Sequence, residues 1–381
     1  MTETDSTRPA QVRTLVVKIG SSTLTTESGA LDADYLRSVA RQVERLHRQG
    51  TQVIIVSSAA IVAGLQSLGM PARRPDDIPT LQAAAAVGQI ELAQSDVRAF
   101  AEVGLTLAQI LLTRTDIENR ESYLHARDTL ERLLDLGVVP LVNENDTIAI
   151  DEIRFGDNDT LAAQVAILIK ADLVILLSDI EGLYTADPRK SEDAELVQRV
   201  GEFTREIVDA AGSAGTEKGS GGMFTKLEAA WMLMAASIPM VICEGRVDDA
   251  ILAATEGRQL GTRFEREQQG RQGKARKLWL ALSGNVKGSV TVDSGAVEAM
   301  RQRGSSLLPV GVTALAGEFA PGSVIDIRDE DGLLIGRGIS SYSSTELAGA
   351  AGRRSTALNA TVSGEGRART ELVHRDAMVI F

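Results

Sequence analysis

The chain is predicted to be an α/β protein, with helices packed around a mainly parallel sheet and a small β-rich unit at its end. Three features of the sequence carry this reading. Short apolar runs alternate with amphipathic stretches through the first two-thirds. Several of those runs end in small or acidic residues, at the sheet edge where open α/β proteins bind ligands. Beyond about residue 276 the texture changes to short β-like runs divided by Gly, Pro and Asp.

Taken in order, TLVVKIG (14–20) is short, apolar and rich in branched residues, as a buried strand is. SSTLTTESGA reads as a loop. Residues 34–48 show helical periodicity, with Gly50 as a stop. TQVIIVSSAA gives a second strand, and the strand–helix–strand order implies a parallel pair. Helices are expected at 80–102, 120–135, 158–170 and 223–236, and strands at 105–113, 138–146, 171–179 and 239–245. The polar stretch TRFEREQQGRQGKAR (262–276) is the best linker candidate. After it come KLWLALS, GSVTVDSGA, SLLPVGVTALAG, GSVIDIRDEDGLLIGRGIS and AMVIF, all β-like. The expected division is a large α/β domain at 10–265, a linker at 266–274 and a β-rich domain at 275–375.

Composition narrows the function classes. The net charge is −12 over 381 residues. Residues 1–273 carry −14 and residues 274–381 carry +2. The large part repels polyanions, which argues against a general nucleic-acid binder; the near-neutral tail does not decide for or against RNA. Aromatics make up 3% of the chain, so the core must be built from Leu, Val, Ile and Ala. The single cysteine, Cys243, lies in an apolar run and reads as a buried small hydrophobe. Three scattered histidines offer no zinc spacing, so no metal ligand is assigned. The first residues lack a signal-peptide plan and no apolar run reaches membrane-spanning length, so a cytoplasmic protein is expected.

Several constellations have the chemistry of an anion site. Lys18 stands in a short buried strand, where a charge needs a partner such as a phosphate; otherwise its stem snorkels to the surface. KIGSS is not the standard P-loop. Ser57 and Ser58 end the second strand, placed either to hold an anion or to cap a helix. NEND (143–146) and GDND (156–159) supply Glu144, Asp146, Asp157, Asp159, Asn143, Asn145 and Asn158, more than caps require. They suit an ammonium group, a metal, or both. Asp179 at another strand end suits a nucleotide or magnesium. The glycines of EKGSGGMFTK (217–226) suit phosphates, with Lys226 to neutralise a transferring phosphoryl group; the bland alternative is a surface loop with a helix cap.

Together KIGSS, VSSAAIVAG, LQAAAAVGQ, LLTRTD, HARDTL, VVPLVNENDT, FGDNDTLAA, LLSDIEGLYTADPR and GSGGMFTKLEAA resemble the glutamate 5-kinase family of the amino-acid kinase superfamily, over residues 12–264. The tail, from KLWLALSGNVKGSVTVDSGA through HRD, is similar to a PUA domain. The resemblance implies a three-layer αβα sandwich and MgATP-dependent phosphorylation of the L-glutamate side chain to L-glutamyl 5-phosphate, the first step of proline biosynthesis. It implies that Lys18 contacts ATP phosphates, that Ser58, Asp146 and Asn158 hold glutamate, and that Ser178 and Asp179 lie at the nucleotide. The stretch Ser220, Gly221, Gly222, Met223, Phe224, Thr225 and Lys226 would cover ATP. Lys226 would support the transferring phosphoryl group, and Asp159 would order the two lysines. ATP and Mg2+, a homo-oligomer (dimer or tetramer) and feedback inhibition by proline follow from the same resemblance, and RNA contact through the tail stays open. The alternatives are a kinase for another acidic amino acid, or an inactive member acting as a ligand or RNA-binding module. Ala59 departs from the glycine usual in the family, and its methyl group strains the chain if that position requires φ > 0. Leu81 and His125 also depart, His125 as a neutral helix-surface change.

Overall fold

In a computed structural model, described for residues 12–26, 28–70, 75, 77–148, 158–204, 207, 222–266, 286–348 and 371–380, the chain divides into two compact units, Met1–Gln269 and Gly270–Phe381.

The first unit is built on an eight-stranded sheet. Its strands are β1 (Thr14–Ile19), β2 (Gln52–Val56), β3 (Leu107–Leu112), β4 (Val139–Glu144), β5 (Leu173–Ser178), β6 (Arg199–Val200), β7 (Met240–Glu244) and β8 (Thr262–Phe264), in the order β3-β4-β2-β1-β5-β7-β8-β6. All neighbouring pairs are parallel except β7 with β8. The mainly parallel α/β sheet read from the sequence is therefore present.

The central strands are buried on both faces, which explains their near-continuous Val, Ile and Leu content. One face, carrying Leu15, Val17, Ile55, Leu141, Ile175 and Val241, packs against α2 (Ala33–Arg48) and α9 (Ala250–Thr255). The period of two sends the alternate residues to the other face, beneath α7 (Asn158–Ile169), which packs in turn against α8 (Met223–Ala235). The α2 helix begins at Asp32, whose side chain accepts from the Tyr35 backbone N–H at 3.0 Å.

Helices α3 (Ala60–Ser67) and α4 (Ile78–Ala101) meet at unusually close range. A Cβ on Gly64 would lie 1.7 Å from the Ala84 carbonyl oxygen, and one on Gly88 would lie 1.8 Å from that of Ala60. Only glycine permits that crossing. A short helix, α5 (Arg114–Glu118), and a long one, α6 (Arg120–Asp135), lead into β4.

Two local expectations change. SSTL, read as loop, forms the single turn α1 (Ser21–Leu24). The first three residues of the polar 262–276 stretch are β8, because Phe264 is fully buried and stacks on Phe203 at 6.1 Å. Thr262 secures the strand, accepting from the Leu183 N–H at 2.8 Å and donating to the Val197 carbonyl at 2.6 Å. Residues 267–276 of that stretch, and KLWLALS, lie outside the described residues.

The second unit carries a five-stranded sheet, β10-β9-β11-β12-β13, from β9 (Val286–Val292), β10 (Val312–Gly317), β11 (Val324–Arg328), β12 (Leu334–Ile339) and β13 (Met378–Ile380). It has its own core, including Val290, Ile325, Ile327, Ile335 and Leu372. The β-rich unit read from the sequence is present, and helices α10 (Ser294–Arg303) and α11 (Ser344–Ala348) lie between its strands. Asp293 starts α10 by accepting from the Ala296 N–H at 2.7 Å. Among the described residues, no helix is long and apolar enough to cross a membrane.

Candidate functional site

Strand register explains why Lys18 stands out. Val142, Val56, Lys18, Leu176 and Ile242 lie in one row across β4, β2, β1, β5 and β7. Lys18 is the one charge in that apolar row. It meets Asp159, from the first turn of α7, with Nζ 2.5 Å from Oδ1. Lys226, from the first turn of α8, donates to the other oxygen, Oδ2, at 3.0 Å. The Asp159 side chain is 0% exposed, and those of Lys18 and Lys226 are 8% and 6% exposed. Residues 141 and 67 positions from Asp159 are thus joined through one carboxylate.

The electrostatics follow from this geometry. Burial pushes the Asp159 carboxyl upward, but the charges and hydrogen bonds of Lys18 and then Lys226 outweigh it and hold the group below the ordinary carboxylate range. The start of α7 also favours a negative side chain. Two ammonium groups around one carboxylate leave the trio with a net positive charge, which an anionic ligand would complement.

A second network fixes the ends of β2 and β4. The amide nitrogen of Asn158 donates to the Ser57 carbonyl at 2.5 Å, the Asn143 Oδ1 at 2.7 Å and the Ser58 Oγ at 3.2 Å. Asn143 donates onward to the Gln89 Oε1 at 2.7 Å. The nitrogen of Asn158 is therefore committed within the protein. Gln89 is the residue that sequence reading misses. Its signal is slight: an amide placed beside Gly88 in a helix otherwise rich in small apolar residues.

These groups open on one cavity of about 530 Å³ at the carboxyl ends of the strands. Lys18, Ser58, Asp146, Asn158, Ser178, Asp179 and Lys226 all line it, beside Gly20, Ser21, Ser22 and the apolar wall of Ile61, Val62 and Leu65. Ser178 Oγ and Asp179 Oδ1 are 3.1 Å apart. Ala59 also lines the cavity, with φ 76° and ψ 6° at the start of α3. The position does require a left-handed backbone, and an alanine stands in it.

Other expected site residues lie outside the described residues or outside the lining of this cavity. Ser220, Gly221 and Asp157 lie outside the described residues. Gly222, Met223, Phe224 and Thr225 lead into and begin α8 but are not in the lining of the cavity; Phe224 is 65% exposed, and the Thr225 hydroxyl donates to the Gly222 carbonyl at 2.8 Å. Among the described residues, no group of three or more His, Cys, Asp or Glu side chains is arranged to hold a metal. Cys243 is fully buried, and burial pushes its thiol up to about 12, as befits a core residue.

Comparison with known proteins bears on the same residues. The amino acid kinase family matches residues 13–244, and the PUA domain matches residues 288–361. A glutamate 5-kinase of Geobacter sp. (strain M21) is 43% identical over 371 residues, covering 97% of this chain and 98% of that protein. One from Ralstonia pickettii (strain 12J) is 45% identical over 372 residues, with 98% of each covered. One from Vibrio vulnificus (strain YJ016) is 43% identical over 380 residues, covering 100% of this chain and 99% of that protein.

Proposed function

We propose, from the premise that this chain belongs to the glutamate 5-kinase family and joins an amino acid kinase domain to a PUA domain, that it transfers the γ-phosphoryl group of MgATP to the side-chain carboxylate of L-glutamate. The observation that carries this reading is the buried Lys18–Asp159–Lys226 trio, whose two lysines line the strand-end cavity.

The chemistry asks for positioning and charge. A carboxylate oxygen is already a nucleophile at neutral pH, so no strong base is needed. It attacks the γ-phosphorus, a new P–O bond forms, the bond to the β-phosphate oxygen breaks, and ADP leaves with those electrons. The obstacle is repulsion between the carboxylate and the phosphates. Lys18 at the phosphates and Lys226 at the transferring group reduce it. Asp159 touches neither substrate in this scheme. It aims both ammonium groups into the site.

Ser58, Asp146 and Asn158 line the part of the cavity assigned to glutamate, with Asp146 facing the ammonium group. Asn158 binds through its oxygen or acts by fixing Ser58, because its nitrogen is occupied. Ser178 and Asp179 are assigned to the nucleotide, with the Ser220–Lys226 stretch over it. Magnesium arrives with ATP and supplies charge neutralisation on the phosphates. A cytoplasmic homo-oligomer, restrained by proline and open to RNA at its PUA domain, completes the proposal.

A panel of acids with coupled ADP detection tests it. L-glutamate is expected to stimulate ATP turnover well above L-aspartate and N-acetyl-L-glutamate. Stimulation by one of those acids and not by L-glutamate would overturn the assignment.

A further inference from the structure

Arg246 lies just beyond β7, outside the residues assigned to the reaction, yet it joins three parts of the chain. Its Nη2 donates to the carbonyl oxygens of Thr23, at 3.2 Å, and Thr25, at 3.0 Å. Its Nη1 meets Asp32 Oδ2, at the start of α2, at 3.0 Å. Its guanidinium carbon lies 5.5 Å from the centre of the Tyr35 ring. One planar fork thus holds the end of the turn after β1, the start of α2 and the end of β7. A lysine ammonium, a single point of charge, cannot reproduce that fork.

The turn in question walls the cavity. Gly20, Ser21 and Ser22 line it next to Lys18. Gly20 is tied to β5 by its N–H, which donates to the Leu177 carbonyl at 3.0 Å. From the other side, the Gly245 N–H donates to the Ser178 carbonyl at 2.8 Å. Gly245 has no space for a side chain: a Cβ there would lie 2.6 Å from Thr23 Cγ2 and 3.0 Å from Leu177 Cβ. The turn after β1, the end of β5 and the Gly245–Arg246 corner are therefore fitted to one another.

We propose that Arg246 is a positioning residue for the nucleotide side of the site, locking the Gly20–Thr25 turn against the ends of β5 and β7 so that Lys18 and its neighbouring wall are set before ATP binds. This rests on the reading that the cavity takes nucleotide phosphates beside Lys18, Ser178 and Asp179. Ser58 and Asp146 lie beyond the ends of β2 and β4, and Arg246 makes no contact with either. The effect therefore falls on the nucleotide and spares the acid substrate.

Calorimetric titration of the full chain with a nonhydrolysable ATP analogue and magnesium, and separately with L-glutamate, tests this. Arg246→Ala is expected to weaken the analogue about fivefold to tenfold, the loss of roughly one charge-assisted contact network, and to leave glutamate affinity within about twofold. Arg246→Lys keeps the charge at Asp32 but loses the fork, and is expected to recover only part of the affinity. Unchanged analogue affinity in either folded variant would overturn the inference, as would a parallel loss for both ligands. If Arg246→Ala does not fold, Arg246→Lys decides alone, and affinity equal to the parent would overturn the inference. Failure of the parent protein to phosphorylate glutamate would count against the proposed function and not against this role, because the readout is nucleotide binding.

Discussion

A carboxylate with no solvent contact, set between two ammonium groups, titrates unlike an aspartate at the surface. Burial alone raises the pKa of Asp159; Lys18 and Lys226 reverse the sign and take it below its ordinary value. Because the folded value is the lower one, the group's contribution to stability is complete above the unfolded value, about 3.9. It is lost as the pH falls below that toward the folded value. Asp159→Asn is therefore expected to flatten the acid limb of stability against pH, read by denaturant unfolding. At neutral pH it strands two buried cations, at a cost of about 3–5 kcal/mol. An acid limb identical to the parent's would mean that the pairing contributes nothing. Ala59 raises a separate question. Its φ of 76° costs an L-residue about 1–2 kcal/mol, less what glycine loses on folding. Ala59→Gly is expected to gain about 1 kcal/mol in urea melts, with glutamate KM equal to or below the parent's. A loss of stability would show that the methyl group packs better than its backbone is strained.

Ala59 leads into α3 and Gln89 lies on α4, so these two helices position both walls of the Ser58–Asn158 network. Their glycine crossing leaves no tolerance: the atom a new Cβ would strike at Gly88 is the backbone oxygen of Ala60, which no rotamer change can move. Gly88→Ala is expected to destabilise the protein by about 3 kcal/mol or more and to raise the glutamate KM with little effect on the KM for ATP. Melting curves and steady-state kinetics check both. Equal changes in the two KM values would contradict the local account. At this scale the sequence was readable wherever one signal dominated. β1, β2, β4, β5 and β7 are branched apolar runs with polar ends, and α2 has a clean amphipathic period. The α3 helix is eight residues long, mostly small and apolar, so it carried no period to read. β8 is three residues inside a charged stretch, and its burial depends on Phe203, 61 positions away. α10 begins inside GSVTVDSGA, a run whose Val–Thr–Val alternation reads as strand. Lys18, Asp159 and Lys226 could each be picked out by type and setting, with the family pattern linking them. The tie from Asn143 to Gln89 could not, since nothing in LQAAAAVGQ says which way its last residue faces.

The two units have separate cores, and every described residue of the cavity belongs to the first. A chain ending at Gln269 is expected to unfold in one cooperative transition and to retain glutamate-dependent ATP turnover. Loss of both would show that the PUA-bearing unit is required for the fold of the site. The negative charge of the larger unit and the near-neutral tail together direct any RNA contact to the tail, where a steep salt dependence would be its mark. For the whole molecule the proposed reaction puts an acyl phosphate on the side chain of glutamate. Hydroxylamine traps that species. Incubating the purified chain with L-glutamate, MgATP and hydroxylamine is expected to yield glutamyl hydroxamate in step with ADP. ADP released without hydroxamate, or hydroxamate formed only when another acid replaces glutamate, would contradict the account.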